Sequence, residues 1–427
     1  MKKRILELRT WPYHRWFSVL VIACIVVYWF IMLLTRSANI DCYFVTDHHN
    51  TSMDYFNMLA NLNQTDPYYQ QANYPAICFL FWKIMHRFLW RAEDGEFGDG
   101  FELRNDMIAQ LGYILFMAVC VVIIWETMMY LSKGTKTEKI LFSSALFFSG
   151  PMIFLLERGN ILIAVLALLL LYFALYDAPK LSLRVIAYIC LALAAAIKIY
   201  PALFGLLVLR KKRYKETAVL VVIGIAAFIL PFFVFDGIGS LKSMLNGIGV
   251  SSALQGQFGF GNNFSFSNLV KMVAAFGGYN LVSTPGWMSA VIAVLCIVLY
   301  FLCTSEWQQW FSLALVCLWF PSFSYTYALV MLFVPILSFF RTENVKISWL
   351  NKVYFVLLIL VVIPYALPFI DRVNGVLGMD YVKLPLAWGT VITNFALVLI
   401  TVLTAVESLK GRIGAIKKTS QKLLSGD

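Results

Sequence analysis

Long, uninterrupted apolar runs are the feature that most constrains the fold of this chain. A bilayer core about 30 Å thick offers no water to exposed backbone groups, so each run that enters it must satisfy its own hydrogen bonds as a helix. The composition agrees, because 61% of residues are hydrophobic, 13% are charged and the mean hydropathy is +0.77. The sequence therefore predicts an all-α polytopic membrane protein. Candidate spans lie at 16–35, 107–131, 139–156, 160–176, 217–235, 286–304, 347–369 and 385–406.

Three further apolar stretches are interrupted, at 75–90, 185–209 and 311–340. The first is short and carries charge, so we expect a helix that lies on the outer face or dips into it. The second contains Lys198-Ile199-Tyr200-Pro201, where proline disfavours helix, and a hairpin that enters and returns fits it. The third breaks at 321–324. With these segments the chain has about 11–13 hydrophobic helices, and broken backbone at membrane depth indicates a site.

The distribution of basic residues gives the orientation. With the N-terminus inside, the cytoplasmic loops hold 23 Lys and Arg against 8 Asp and Glu, and the outer segments hold 10 against 14. Basic residues near helix ends stay cytoplasmic, so the net charge of +11 is ordinary positive-inside bias. It does not indicate a nucleic-acid partner, and we expect a multi-pass protein of the cell membrane.

No repeat or low-complexity linker divides the chain, so residues 1–427 are predicted to form one transmembrane domain. Its largest exposed part is a first extracytoplasmic loop at 36–106. A second extracytoplasmic loop, glycine-rich and aromatic, covers 236–285, and a basic cytoplasmic tail covers 407–427.

The first outer loop carries the densest polar cluster, including Asp47, His48, His49 and Asp54. Asp54 begins MDYFNMLA, which is typical of a short amphipathic helix and puts the carboxylate in its first turn, where the helix dipole favours it. A carboxylate just outside the membrane can act as a general base toward a hydroxyl. The alternatives are a solvated loop or a metal site, although adjacent histidines rarely face one ion, and no metal is expected.

Two later motifs place cations near this loop. Arg158-Gly159-Asn160 joins two spans at the outer face, where Gly159 permits a tight turn and Asn160 can cap the next helix. Arg158 would then suit a phosphate, with a plain interfacial anchor as the alternative. Lys198 lies at membrane depth and is either functional or a lysine that satisfies carbonyls freed by Pro201.

In this order the motifs resemble the GT-C superfamily of membrane glycosyltransferases. Within it the chain is similar to glycosyltransferase family 87 and to the transferase that adds the first mannose of GPI anchors. The histidine that this pattern carries late in the chain has no counterpart here. The matching residues are Asp54-Tyr55-Phe56, Pro67-Tyr68, Asn73-Tyr74-Pro75, Arg158-Gly159-Asn160, Lys198 to Pro201 and the aromatic region 322–327.

The resemblance implies a GT-C fold and transfer of a hexose, by default mannose, from a polyprenyl-phosphate donor. The acceptor would be a hydroxyl of a lipid or glycan outside the cytoplasm. The resemblance further implies inversion in one displacement, without a cofactor. Its implied roles are Asp54 as the base with Asp47 as second choice, Arg158, Lys198 and Asn160 as phosphate ligands, and His48, His49, Tyr74 and Tyr325 as substrate contacts.

Two other functions remain open from the sequence. Broken helices also occur in transporters, so a flippase for a lipid-linked sugar is one alternative. Transporters usually show paired repeats and polar residues at the midplane, whereas polarity here is concentrated in one outer loop. A non-catalytic partner in surface polysaccharide assembly is the other alternative, and it would not need the acidic loop.

Overall fold

The computed structural model describes residues 11–36, 40–41, 51–63, 66–70, 72–89, 99–258, 262–277, 279, 281, 284–342, 348–370 and 386–425. The structure within these ranges is almost entirely helical. The α-helices are α1 (Tyr13–Thr35), α2 (Met53–Ala60), α3 (Ala76–Leu89), α4 (Gly100–Asn105), α5 (Met107–Leu131), α6 (Lys136–Phe147), α7 (Gly150–Arg158), α8 (Leu162–Leu175), α9 (Leu181–Ile197), α10 (Leu206–Arg210), α11 (Tyr214–Ile229), α12 (Ile238–Phe258), α13 (Phe266–Phe276), α14 (Gly286–Leu302), α15 (Glu306–Trp319), α16 (Phe333–Thr342), α17 (Trp349–Val362) and α18 (Trp388–Ser425).

Five 3₁₀ segments and three short strands complete the described structure. The 3₁₀ segments are Asn61–Asn63, Pro67–Gln70, Tyr200–Gly205, Leu230–Val234 and Thr326–Leu332. The strands are β1 (Ile40–Asp41), β2 (Leu367–Ile370) and β3 (Leu386–Ala387), in the antiparallel order β1-β2-β3. Ile40 lies opposite Pro368, so the segment after α1 is tied to the segment after α17. The sequence did not predict these strands.

The expected class of all-α polytopic membrane protein is confirmed. Within the described ranges, four helices are long and apolar enough to cross a membrane, and α6 and α7 form a further pair bent by 58°. Seven shorter apolar helical segments accompany them, in agreement with the predicted number of about a dozen.

Two predicted spans differ in detail because of prolines. The span expected at 139–156 is broken at Phe148 and Ser149, just before Pro151. The span expected at 347–369 ends as a helix at Val362, just before Pro364, since proline removes a helical hydrogen bond and restricts the residue before it. The last helix, α18, continues from the predicted span at 385–406 into the basic segment at 407–427 and ends at Ser425.

The loops rich in Lys and Arg meet at one end of the bundle, which we call the basic end. There His14, at the start of α1, lies 3.8 Å from Glu138 at the start of α6. Lys133, just after α5, donates to the carbonyl of Arg341 at the end of α16. The turns at 158–161, 198–199 and 320–325 lie at the opposite end.

Three hairpins start and finish at the basic end and turn at the opposite end. The first hairpin is α6 and α7 followed by α8, and it turns at 158–161. The second is α9 followed by Tyr200–Gly205 and α10, and it turns at 198–199. The third is α15 followed by Thr326–Leu332 and α16, and it turns at 320–325.

Contacts at the basic end close the second hairpin. Asp177, just before α9, accepts from Arg213 at 2.8 Å and also from Lys211, both just after α10. The predicted hairpin at 185–209 is therefore present, with both flanks at the same end. Backbone carbonyls after its break accept hydrogen bonds from buried tyrosines, since Tyr172 donates to the carbonyl of Phe204 and Tyr300 donates to that of Leu206.

Helices α2 and α3 cover the opposite end. At about 1.5 Å per residue, the 14 residues of α3 reach roughly 21 Å, which is short of the bilayer core, as expected for a helix that does not cross it. Trp82 of α3 packs edge-on against Tyr55 of α2, with ring centroids 4.4 Å apart. This aromatic packing places α2 over the hairpin turns.

Candidate active site

Asp54 lies in the first turn of α2, as the sequence predicts. Its neighbours Met53, Tyr55 and Phe56 are buried and fix the helix against the protein. The carboxylate itself is 16% exposed, so it is largely shielded but still accessible.

The turn after α7 docks directly on the residues that precede Asp54. The backbone N–H of Ser52 donates to the carbonyl of Glu157 at 2.7 Å. Gly159 adopts a φ of +62°, and a Cβ there would lie 3.1 Å from both Ser52 Cα and Tyr113 Cε2. Only glycine tolerates both the left-handed backbone and this close approach.

This docking brings Arg158 and Asn160 onto the Asp54 carboxylate. Arg158 Nη2 donates to Asp54 Oδ1 at 2.7 Å, and Asn160 Nδ2 donates to Asp54 Oδ2 at 2.7 Å. Asn160 is also the predicted cap, because its Oδ1 accepts from the backbone N–H of Leu162 at 2.9 Å. Both oxygens of the carboxylate are thus held by two residues of one turn.

The tip of the second hairpin approaches from the other side. The Lys198 ammonium lies 4.3 Å from the centroid of the Tyr74 ring, a cation–π contact. Lys198 is also within electrostatic range of Asp54. Burial, with the nearby Asp54 charge adding to it, raises the pKa of the Tyr74 hydroxyl well above its usual range, so this hydroxyl stays protonated.

The third hairpin contributes a row of aromatic rings at its turn. Phe323, Tyr325 and Tyr327 are half-buried, whereas Ser324 and Thr326 between them are buried. Ring centroids of Tyr325 and Tyr327 lie 5.5 Å apart, and Tyr325 is within electrostatic range of Arg158 and Asp54.

Sequence reasoning missed Tyr327, which also lies within electrostatic range of Asp54, and Phe154, which stacks on Tyr327 at 5.8 Å. The alternation of aromatic and hydroxyl residues from Phe323 to Tyr327 was the available signal for the first of these. A polar segment just before α13 supports the row, since Asn263 Oδ1 accepts from the backbone N–H of Ser324 at 3.0 Å.

The structure thus brings together Asp54, Arg158, Asn160, Lys198, Tyr74 and Tyr325 from the predicted set. The other predicted residues, Asp47, His48 and His49, lie outside the described residues. Within the described ranges, no group of three or more His, Cys, Asp or Glu side chains is placed to hold a metal ion.

The arrangement combines a carboxylate, two cations and a set of tyrosines at the turns of three broken or bent helical elements. The family model of glycosyltransferase family 87 matches residues 107–321. The chain belongs to glycosyltransferase family 87. It is therefore a membrane glycosyltransferase, as the motifs predicted. No curated protein and no solved structure gives a significant match.

The part matched to family 87 contains Arg158, Asn160 and Lys198, but Asp54 and Tyr325 lie on either side of it. Geometry links these two residues to the matched part. Asp54 is hydrogen-bonded to two residues inside the match, and Tyr325 is within electrostatic range of one of them.

Proposed function

We propose that this family 87 glycosyltransferase transfers a hexose, with mannose as the first candidate, from a polyprenyl-phosphate donor to an acceptor hydroxyl. The proposed reaction inverts the anomeric configuration in a single displacement and takes place outside the cytoplasm. The observation that carries the proposal is the Asp54 carboxylate held by Arg158 and Asn160 beside Lys198. A base and a phosphate site within one cluster are what such a displacement requires.

In the proposed step, the acceptor oxygen attacks the anomeric carbon of the donor sugar. The bond from that carbon to the phosphate oxygen breaks, and its electron pair leaves with the lipid phosphate. The acceptor proton passes to the Asp54 carboxylate. A direct displacement forms no covalent enzyme intermediate, so one base suffices.

The two cations suit the departing phosphate. Arg158 presents a planar fork of donors that matches phosphate oxygens, and Lys198 adds a point charge. Both lie within reach of Asp54, so donor phosphate and acceptor hydroxyl would meet at the same cluster. We assign Asn160 to the carboxylate more than to the phosphate, because its amide donates to Asp54.

The aromatic row supports a saccharide as the transferred group. Tyrosine rings pack on the apolar face of a sugar, and their hydroxyls donate to its polar edge. We place Tyr74, Tyr325 and Tyr327 around the sugar, and we retain His48 and His49 as proposed substrate contacts. The bias of basic residues toward the other end of the bundle supports an active site outside the cytoplasm.

The test is transfer by purified protein, one polyprenyl-phosphate sugar at a time, with the product identified by mass. We expect Asp54→Asn to lower the turnover number by about 100-fold or more, the usual range for removing a general base. Asp99→Asn is the matched control, because it makes the same change in the same loop and asparagine still caps α4. Full activity of Asp54→Asn would move the base to Asp47 or refute the mechanism.

A further inference from the structure

The two partners of Asp54 differ in how firmly they are held. Asn160 is 1% exposed, and its Oδ1 is fixed by the backbone of α8, so its amide cannot leave the carboxylate without uncapping the helix. The guanidinium of Arg158 lies at the end of a long flexible side chain, and that side chain is 21% exposed. The carboxylate is therefore bound on one side by a rigid partner and on the other by a movable one.

The movable partner also has a competing use. Arg158 Nη2 lies 2.7 Å from Asp54 Oδ1, and Asn160 already holds Oδ2, so Oδ1 is the oxygen that a movement of Arg158 would free for an acceptor hydroxyl. A phosphate offers the same guanidinium at least as good a bidentate match as a carboxylate does. Arg158 uses one nitrogen, Nη2, to hold Asp54. A phosphate bound bidentately through the two Nη groups would need that same nitrogen, so phosphate and Asp54 compete for Nη2.

We propose that the Asp54–Arg158 ion pair is a resting-state latch that the donor phosphate opens, while Asn160 remains as the positioning residue of the base. This inference rests on the proposed function. Arrival of the phosphate draws Arg158 away and frees Asp54 Oδ1 for the acceptor hydroxyl, while Asn160 keeps Oδ2 in place. Without donor, both oxygens of the base stay paired with Arg158 and Asn160.

The latch has a consequence for binding that a simple phosphate site lacks. When a ligand must first break an internal contact, its apparent Kd is the intrinsic Kd divided by the fraction of molecules in which that contact is open. The ligand therefore binds more weakly when the open fraction is small. Removing the carboxylate charge should therefore improve binding of a lipid phosphate, even though it slows transfer. We expect Asp54→Asn to bind farnesyl phosphate about tenfold more tightly than the unmodified protein, as for loss of one charged hydrogen bond.

The experiment measures the Kd of farnesyl phosphate by calorimetry in detergent for the unmodified protein, Asp54→Asn, Arg158→Gln and the double variant. The latch predicts that Asp54→Asn increases the affinity for farnesyl phosphate and that this increase disappears when Arg158→Gln is also present. An equal gain in both backgrounds would show only repulsion between Asp54 and phosphate and would overturn the latch. Unchanged or weaker binding by Asp54→Asn would overturn it as well.

The outcomes separate the latch from the proposed function. If the unmodified protein and every variant fail to bind farnesyl phosphate, the lipid-phosphate donor itself is refuted, and the latch with it. Should Arg158→Gln not fold, Arg158→Lys replaces it, because lysine keeps the charge but loses the fork. We then expect a smaller gain from Asp54→Asn in the lysine background, and an undiminished gain overturns the latch.

Two further variants test specificity and the role of Asn160. Asp177→Asn removes a carboxylate that pairs with Arg213 at 2.8 Å at the basic end, and we expect no change in Kd. Asn160→Ala should leave the Kd within about twofold and lower the turnover number about tenfold, since it loosens the base and leaves the phosphate site. A weakened Kd with unchanged turnover would assign Asn160 to the phosphate.

Discussion

At the scale of single residues, the site depends on a glycine that carries no chemistry. Gly159 lets the turn after α7 approach Ser52 closely enough for Arg158 and Asn160 to reach Asp54. Its φ of +62° is strained for any residue with a side chain. The Arg-Gly-Asn spacing in the sequence is therefore a geometric requirement.

This requirement gives a testable prediction. We expect Gly159→Ala to destabilise the protein by about 1–3 kcal/mol, the cost of strained backbone, and to lower transfer at least tenfold by displacing Arg158 and Asn160. Thermal unfolding in detergent and the transfer assay measure the two effects.

The matched control is Gly224→Ala in α11, where an added Cβ would meet nothing within 4 Å. Alanine favours helix over glycine by about 1 kcal/mol, so this variant should be as stable or more stable. If Gly159→Ala behaves like Gly224→Ala in both assays, the close approach to Ser52 is not needed.

At the scale of elements, the breaks in the hairpins place backbone turns at the site. Pro201 prevents α9 from continuing, so Lys198 has an extended backbone with φ −138° and ψ 124° and lies beside Tyr74. A straight helix through this position would carry the lysine away from Tyr74. The break therefore places the Lys198 ammonium at the site.

A prediction at this scale concerns the charge at the tip of the second hairpin. Lys198→Met keeps most of the side-chain volume and removes the cation, so we expect the KM for the donor to rise about tenfold with little loss of stability. Lys198→Arg should restore most of the donor affinity. Lys212→Met, at the basic end, is the control and should leave the KM unchanged. A donor KM unaffected by Lys198→Met would assign this lysine to packing against Tyr74 alone.

Much of this element structure could be predicted because it follows from local rules. The length of the apolar runs predicted the helices, and proline predicted the break near Lys198. The preferences of glycine for tight turns and of asparagine for helix caps predicted the roles of Gly159 and Asn160. The ion pair of Asp54 with Arg158 could not be predicted, since it joins residues 104 positions apart through tertiary packing. The strand pairing of Ile40 with Pro368 is non-local in the same way.

At the scale of the whole molecule, the three hairpins place the candidate site at one end of the bundle and a set of ion pairs at the other. Their turns form the site, and their open ends carry ion pairs such as Arg184 with Glu216 and Arg213 with Asp177. Because each hairpin returns to its starting end, helices that pack as a continuous core need not each add a crossing. The number of hydrophobic helices therefore does not give the topology, and the side of each loop needs a separate measurement.

The topology prediction follows from this arrangement and from the charge bias. Asp99, before α4, and Lys212, after α10, lie at opposite ends of the bundle, so cysteines placed there should react with a membrane-impermeant maleimide from opposite sides. We expect Asp99→Cys to be labelled from outside in intact cells and Lys212→Cys only after permeabilisation. Within the described residues the native cysteines are buried or half-buried, so the unmodified protein gives the background.

Labelling of both positions from one side would contradict one of two interpretations: that the second hairpin enters and returns, or that α3 does not cross the membrane. Labelling of Lys212 alone from outside would invert the protein and place Asp54 in the cytoplasm, where an outward-facing acceptor could not reach it.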